Sequence, residues 1–446
     1  MVKSQIPSVA GLAWSARGVC AVVGTVTRFR SARPDKLGAL DSATQALGST
    51  IPTLNKALLW SVLLWCCSGA VASAQQGPSD VQLDLIQDAV RAHSPSRRAA
   101  IAARLERELG AVAIVEALPL SFRYRPVRGR IIESTAYTAG NDKLPFYAIL
   151  PPDYDPGRPW PVHVHLHGGG FVGHRACRRH FSQDHVVGFI LLCPTTPRAH
   201  WWLPEGEEAV EQVLRTLQRR VNVDTTRISL GGGSSGGTGT WHIGQKFPWR
   251  WSALVPRAAG RIRHRRFVSN LLQTPVYLIH GDADGAIPVE MSRQMSAWFK
   301  EGGGRLTYRE IAGGVHDFFS DLNPEVMSWA IAQRRALPTH FVFEPTRHQD
   351  HGIVHWLEVT PSGRVEAQLK TVAGQGTVVL IEAKAEPKGG AVYLNDSLAD
   401  LDRPVTVMVG SRVVFSGVVE RRVDVVLETF ARTYDIERTF TVEIRW

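Results

Sequence analysis

Apolar positions along the chain change their period twice. Over residues 79–110, Val81, Leu85 and Ile86, and then Ile101, Leu105 and Leu109, recur at helical spacing, which predicts helices with one buried face. From about residue 128 the apolar residues gather into short runs at 146–150, 162–166, 186–193, 228–230, 253–255 and 276–279. Helical stretches, 205–219 and 288–300 among them, lie between these runs. Strands alternating with helices predict a mostly parallel sheet covered by helices on both faces, ending near Arg335. Beyond it, runs at 354–359, 377–384, 404–409, 413–418, 423–427 and 439–444 read as short strands, with a hairpin turn at Gly410-Ser411. No helix is expected there, and the pattern predicts a small β-sandwich. The expected organisation is a helical segment over 75–127, an α/β domain over 128–337 and an all-β, sandwich-like domain over 338–446.

The N-terminal 74 residues read differently. An apolar stretch over 57–72 follows Lys56 and ends in Ala72-Ser73-Ala74. A cation, a short apolar core and a small-residue cleavage site are the three parts of a secretory signal peptide. The stretch is shorter than the roughly 20 residues that span a bilayer, so cleavage is expected to leave no stable membrane span; an uncleaved N-terminal anchor is the alternative. Because this signal begins near residue 54, translation is expected to start downstream of Met1, and the mature protein to be secreted or periplasmic. Residues 1–74 carry seven basic and two acidic side chains, half of the chain's formal +10, and the mildly basic remainder gives no case for nucleic acid. Of five cysteines, Cys177 and Cys193 lie beyond this segment, and an exported protein could join them. No C-x-x-C pair exists, so a structural zinc site is not expected. With 44% hydrophobic and 21% charged residues, the chain has a globular composition and the length for a sizeable core.

Four short motifs carry chemistry. Gly232-Gly233-Ser234-Ser235-Gly236 fits G-x-S-x-G, between a predicted strand at 227–230 and a helix running through Trp241. In such an elbow the turn is tight enough to need glycine, and the serine hydroxyl is thrust out at the sheet's edge. Ser235 is the neighbouring hydroxyl, but only Ser234 has glycines at both −2 and +2. His167-Gly168-Gly169-Gly170 directly follows the strand at 162–166. Amides of Gly168, Gly169 and Gly170, with that of Ser235, are candidate oxyanion donors, since glycine lets the main chain come close to a developing negative charge. His280-Gly281-Asp282-Ala283-Asp284 follows the strand at 276–279 and offers an acid, Asp284 first and Asp282 second. Gly313-Gly314-Val315-His316 follows a predicted strand at 306–311 and places His316 in a loop as general base.

Residues 128–335, through LHGGGF at 166–171, RISLGGGSSGGTGTW at 227–241, PVYLIHGDADGAIPV at 275–289 and GGVHDFF at 313–319, resemble the catalytic domain of secreted esterases. These esterases are related to the prolyl oligopeptidase and dienelactone hydrolase families of the α/β-hydrolase superfamily. The resemblance implies an α/β-hydrolase fold, a Ser234–Asp284–His316 triad in the Ser, Asp, His order of that fold, and carboxylic-ester hydrolysis without a cofactor. The elbow departs from the family at Gly233 and Ser235, where bulkier residues are commoner. A serine peptidase of prolyl oligopeptidase type is one alternative; only about fifty residues separate the signal peptide from residue 128, too few for the propeller such peptidases usually carry. A binding protein on a hydrolase scaffold is the other.

The spacing from Ser234 to Asp284 and on to His316 leaves no room for an inserted lid, which predicts an open site. A loop over 194–204 carries Arg198, His200, Trp201 and Trp202, and His200, Trp201 and Trp202 are candidate substrate contacts by stacking. The expected substrate is a small-molecule or polysaccharide-linked ester. The basic run at 261–266 reads as a solvated face, and His348, Asp350, His351 and His355 do not have ligand spacing, so no metal is expected.

Overall fold

The computed structural model describes residues 77–446 apart from 93, 171, 197–199, 347–351, 360–362, 386 and 388. The expected signal peptide, Arg198, His348, Asp350 and His351 lie outside the described residues. Among the described residues the first elements are three helices, α1 (Asp80–Arg91), α2 (Pro95–Glu106) and α3 (Ala111–Ser121). A capping box starts α1, Ser79 and Gln82 each satisfying the other's backbone N–H. Ser94 caps α2, with Pro95 at its first position.

The central sheet contains β1 (Ile131–Tyr137), β2 (Lys143–Ile149), β3 (Trp160–Leu166), β4 (Ile190–Pro194), β5 (Val223–Gly233), β6 (Ala253–Arg257), β7 (Val276–Gly281) and β8 (Leu306–Ile311). Their order is β1-β2-β4-β3-β5-β6-β7-β8, with β2 antiparallel to both neighbours and the remaining pairs parallel. Helices α4 (Gly173–His180), α5 (Pro204–Gln218), α6 (Ser235–Lys246), α7 (Glu290–Gly302) and α8 (Asn323–Ala332) cover it. Side chains alternate between faces along each strand. Phe146, Ala148, Ile190, Leu192, Val276 and Leu278 join the core under α5, α6 and α7. Their neighbours Tyr147, Ile149, Leu191, Cys193, Tyr277 and Ile279 join the core under α4 and α8. Burial on both faces is why these strands read as unbroken apolar runs. A disulfide joins Cys177 of α4 to Cys193 of β4, Cα atoms 6.2 Å apart, and ties helix to sheet on the second face. This is the α/β-hydrolase fold.

The C-terminal region adds a five-stranded sheet, β15-β14-β12-β11-β9, and a three-stranded one, β10-β13-β16. These are β9 (His340–Phe343), β10 (Leu357–Val359), β11 (Val365–Val372), β12 (Gly376–Ala383), β13 (Gly390–Leu394), β14 (Val405–Val409), β15 (Arg412–Gly417) and β16 (Val442–Arg445). The two sheets share one apolar core. Contrary to expectation, the run at 423–427 opens a helix, α9 (Val423–Thr433). Its β-branched residues suggested a strand over five positions. Over eight, Val423, Val426, Leu427 and Phe430 fall on one helical face, and that longer period decides the structure. That face packs against α1, α2 and α3, so the N-terminal helices and the C-terminal region share a core. Among the described residues no helix is long and apolar enough to cross a membrane.

Candidate active site

Ser234 lies between β5 and α6 with φ 56° and ψ −121°. A non-glycine residue holds such a conformation only where its surroundings over-determine it. Here they do: the Ser234 N–H donates to the Arg257 carbonyl at 3.0 Å, and Thr238 N–H donates to the Ser234 carbonyl at 2.9 Å. A side chain at Gly232 would meet the Leu166 and Gly236 backbones, and one at Gly236 would strike the Leu166 and His167 carbonyls. The turn therefore excludes any larger residue at both motif glycines. At Gly233, where a bulkier residue is usual, the Phe318 ring occupies the space, 2.8 Å from where a Cβ would stand.

Ser234, Asp284 and His316 converge at the C-terminal ends of β5, β7 and β8. The Ser234 Oγ is 3.0 Å from His316 Nε2, and His316 Nδ1 is 2.8 Å from Asp284 Oδ2. A carboxylate can only accept, so Nδ1 carries the proton and Nε2 accepts from the hydroxyl. Asp284 is fully buried and the His316 ring is about one-third exposed, at 32%. The Asp284 Oδ1 accepts from the Ala286 and Ile287 amides at 2.8 and 2.9 Å. Burial alone would raise its pKa. The amides of Ile287 and Ala286, with the His316 ring, outweigh burial and hold the carboxyl below the usual range.

Asp282, the second candidate acid, is used differently. Its Oδ1 accepts from Gly313 N–H at 2.7 Å, which pins the loop that carries His316. The Ser235 hydroxyl is buried without a hydrogen-bond partner among the described residues, whereas its backbone begins α6, where first-turn N–H groups have no helical acceptor. The H-G-G-G loop packs directly on the elbow: a Cβ on Gly168 would stand 3.4 Å from the Gly233 carbonyl and 3.6 Å from Ser234 Cβ. Gly168 and Gly169 line a cavity of about 210 Å³ together with Ser234, His316, His180 and Phe318. Gly170 turns the loop at φ 75°.

None of the three stacking candidates, His200, Trp201 and Trp202, lines the cavity at Ser234. Trp201 is completely buried, its Nε1 donating to the His167 carbonyl at 2.9 Å and its ring pressed onto Gly239 of α6. It braces the H-G-G-G loop at the His167 carbonyl and offers no face to a substrate. Adjacent positions on a loop point to different sides, so Trp202 is the exposed member, at 38%. His200 and Trp202 pack on each other with ring centres 5.1 Å apart, outside the cavity lining.

Two residues that the motifs did not single out, His280 and Arg257, support the site. His280 donates from Nε2 to Asp284 Oδ2 at 3.1 Å and to the Ile287 carbonyl at 3.0 Å, and its Nδ1 accepts from Ser292 at 2.6 Å. That fixes one tautomer of a fully buried ring behind the acid. Arg257 donates to the Phe318 and Phe319 carbonyls at 3.0 and 3.1 Å, and its guanidinium lies 4.2 Å from the Phe318 ring centre. Burial pushes Arg257 down to about 9, which leaves it a cation at neutral pH. One residue thus holds the elbow through its carbonyl and the histidine loop through its side chain. The arrangement joins a hydroxyl, an imidazole and a buried carboxylate in one hydrogen-bonded line beside a glycine loop, a set of groups that can perform acyl transfer. Among the described residues no group of three or more His, Cys, Asp or Glu could hold a metal ion.

No protein-family model matches the chain, and no curated protein matches it. Several solved structures are similar to part of it. A thermostable esterase is 25% identical, over 46% of this chain and 63% of that one, with a TM-score of 0.42. Est1E from Butyrivibrio proteoclasticus is 18% identical, over 45% and 99%, with a TM-score of 0.38. A ferulic acid esterase from the anaerobic fungus Anaeromyces mucronatus is 14% identical, over 48% and 94%, with a TM-score of 0.37. The chain therefore spans less than two thirds of the first of these.

Proposed function

We propose that the chain is an exported serine hydrolase that cleaves carboxylic esters through an acyl-enzyme on Ser234. The observation that carries this reading is the unbroken hydrogen-bond chain from Ser234 through His316 to Asp284, opening on a cavity walled by Gly168 and Gly169. Ser234 Oγ attacks the ester carbonyl while His316 Nε2 takes its proton. Asp284 stabilises the imidazolium, and its lowered pKa keeps it ionised for that task. Amides of the Gly168–Gly170 loop and of Ser235 receive the oxyanion, each such donor being worth about 3 kcal/mol in the transition state. His316 then returns the proton to the leaving alcohol, and water repeats the sequence to release the acid. The Cys177–Cys193 disulfide supports export, because such bonds persist in oxidising compartments.

The test is labelling of the purified protein with a fluorophosphonate, comparing wild type with Ser234→Ala and locating the modified peptide by mass spectrometry. Labelling at Ser234, lost in the variant, together with turnover of aryl esters, is expected. Folded wild-type protein that takes no label would sink the reading, and label on Ser235 would misplace the nucleophile. Turnover of peptide anilides in preference to esters would move the protein to the peptidases.

A further inference from the structure

A second concavity lies at the other end of the molecule. β1 runs parallel to β4 and β3, so Ile131 and Ile132 stand at the N-terminal ends of the parallel strands, opposite the end that holds Ser234. There the start of β1, the end of α1, the segment 122–127 and the residues after α5 enclose a groove of about 830 Å³. That volume falls in the range of ligand sites, ~300–1,000 Å³.

The cations of this groove are all arginines: Arg91, Arg123, Arg125, Arg219 and Arg220. They face two carboxylates, Asp84 and Glu133. Arg123, at φ 39°, is anchored on Asp80 and Asp84, and Arg219 donates to the Tyr434 hydroxyl at 3.2 Å. Arg91, Arg125 and Arg220 are exposed and form no ion pair with a carboxylate among the described residues. The like charges of Arg91, Arg125 and Arg220 around one concavity repel one another, a cost that an anionic ligand removes. Arginine's planar fork matches a carboxylate bidentately, in a way lysine does not.

We propose that this groove binds an acidic oligosaccharide. The arginines take the carboxylates of its uronate rings. Asp84, 3.4 Å from Arg123, and Glu133, 3.4 Å from Arg178, accept from its hydroxyls through the lone pairs that those contacts leave. The mixed lining selects this ligand over a nucleic acid strand, whose closely spaced phosphates would meet those two carboxylates. Concavity disfavours a flat lipid surface. Tyr124, stacked on Phe122 with ring centres 5.8 Å apart, supplies an apolar wall for a sugar face. The site is separate from the Ser234 cavity, so it stands or falls independently of the esterase reading.

Titration calorimetry of the purified chain with hexagalacturonate, maltohexaose and a hexauridylate tests it. Hexagalacturonate is expected to bind, and neutral maltohexaose not to. Arg125→Ala/Arg220→Ala should weaken binding about tenfold or more, the loss of two charge-assisted contacts. Arg263→Ala/Arg266→Ala, an equal charge change at two exposed arginines elsewhere in the chain, should bind as wild type does. Circular dichroism and the unfolding midpoint establish that each variant is folded. If the double alanine variant fails to fold, Arg125→Lys/Arg220→Lys replaces it, keeping charge while losing the fork, and still weakens binding. The proposal is overturned by no hexagalacturonate binding, by equal binding of maltohexaose, by tighter binding of the hexauridylate, or by an equal loss in Arg263→Ala/Arg266→Ala.

Discussion

Asp284→Asn isolates what the buried carboxylate does. The substitution keeps size and removes the negative charge and the ability to accept on both sides. Asp284 Oδ1 faces two amide donors and Oδ2 faces two imidazoles. An asparagine must point its carbonyl at the Ala286 and Ile287 amides, because its NH2 there would oppose two N–H groups. That leaves NH2 at the Oδ2 position, facing His316 Nδ1. The imidazole must then accept at Nδ1 and carry its proton on Nε2, the atom that has to take the proton from Ser234. His280, held by the Ile287 carbonyl and Ser292, cannot turn to relieve the conflict. A wrong tautomer in an otherwise intact triad costs about 10⁴ in kcat, or roughly 5.5 kcal/mol of transition-state stabilisation. The assay is kcat for an aryl ester, with burst titration counting active sites. Asp282→Asn is the comparator. Its amide oxygen still accepts from Gly313, so a loss below about tenfold is expected. A tenth or more of wild-type kcat in Asp284→Asn, or a larger defect in Asp282→Asn, would refute the reasoning.

Trp201→Ala should destabilise the fold by about 3–5 kcal/mol, since it empties a fully buried site and orphans the His167 carbonyl. Trp202→Ala should stay within about 0.5 kcal/mol, and urea unfolding separates the two. Stability should fall as pH drops from 6.5 towards 4. His163 is pushed down to about 3 and His180 to about 4, chiefly by burial, and His165 lies well below its ordinary 6.5 for the same reason. The unfolded chain therefore binds protons in that window that the folded one refuses. Each such histidine steepens the loss by up to about 1.4 kcal/mol per pH unit. The slope of unfolding free energy against pH checks this, and a flat profile between pH 6.5 and 4 would contradict it.

The sheet and the three candidate triad residues were legible because each residue follows an apolar run and sits among glycines, in one chain order. The choice between Asp284 and Asp282 was open in the sequence. Both stand within a few residues of the end of β7, and only the folded loop shows which one faces His316 and which one faces Gly313. Trp201 and Trp202 are neighbours in sequence, and nothing local tells that the first dips onto Gly239. Arg257 and Phe318 were invisible as supports because their partners lie about sixty residues away. The helix α9 was hidden by reading too few residues of a β-branched run. The disulfide needed a Cα distance that no spacing supplies.

The core shared by α1, α2, α3 and α9 has a consequence for the order in which the protein is made. The Arg98–Glu428 ion pair and the bond from Val423 N–H to Glu106 join residues 330 and 317 positions apart. Helices α1, α2 and α3 keep the apolar faces that α9 covers open until residues 423–433 have been made. Over that interval the surface needs shelter by a chaperone or an export factor. The late docking of α9 closes this core, and deletion of residues 423–433 should be felt first at residues 80–121.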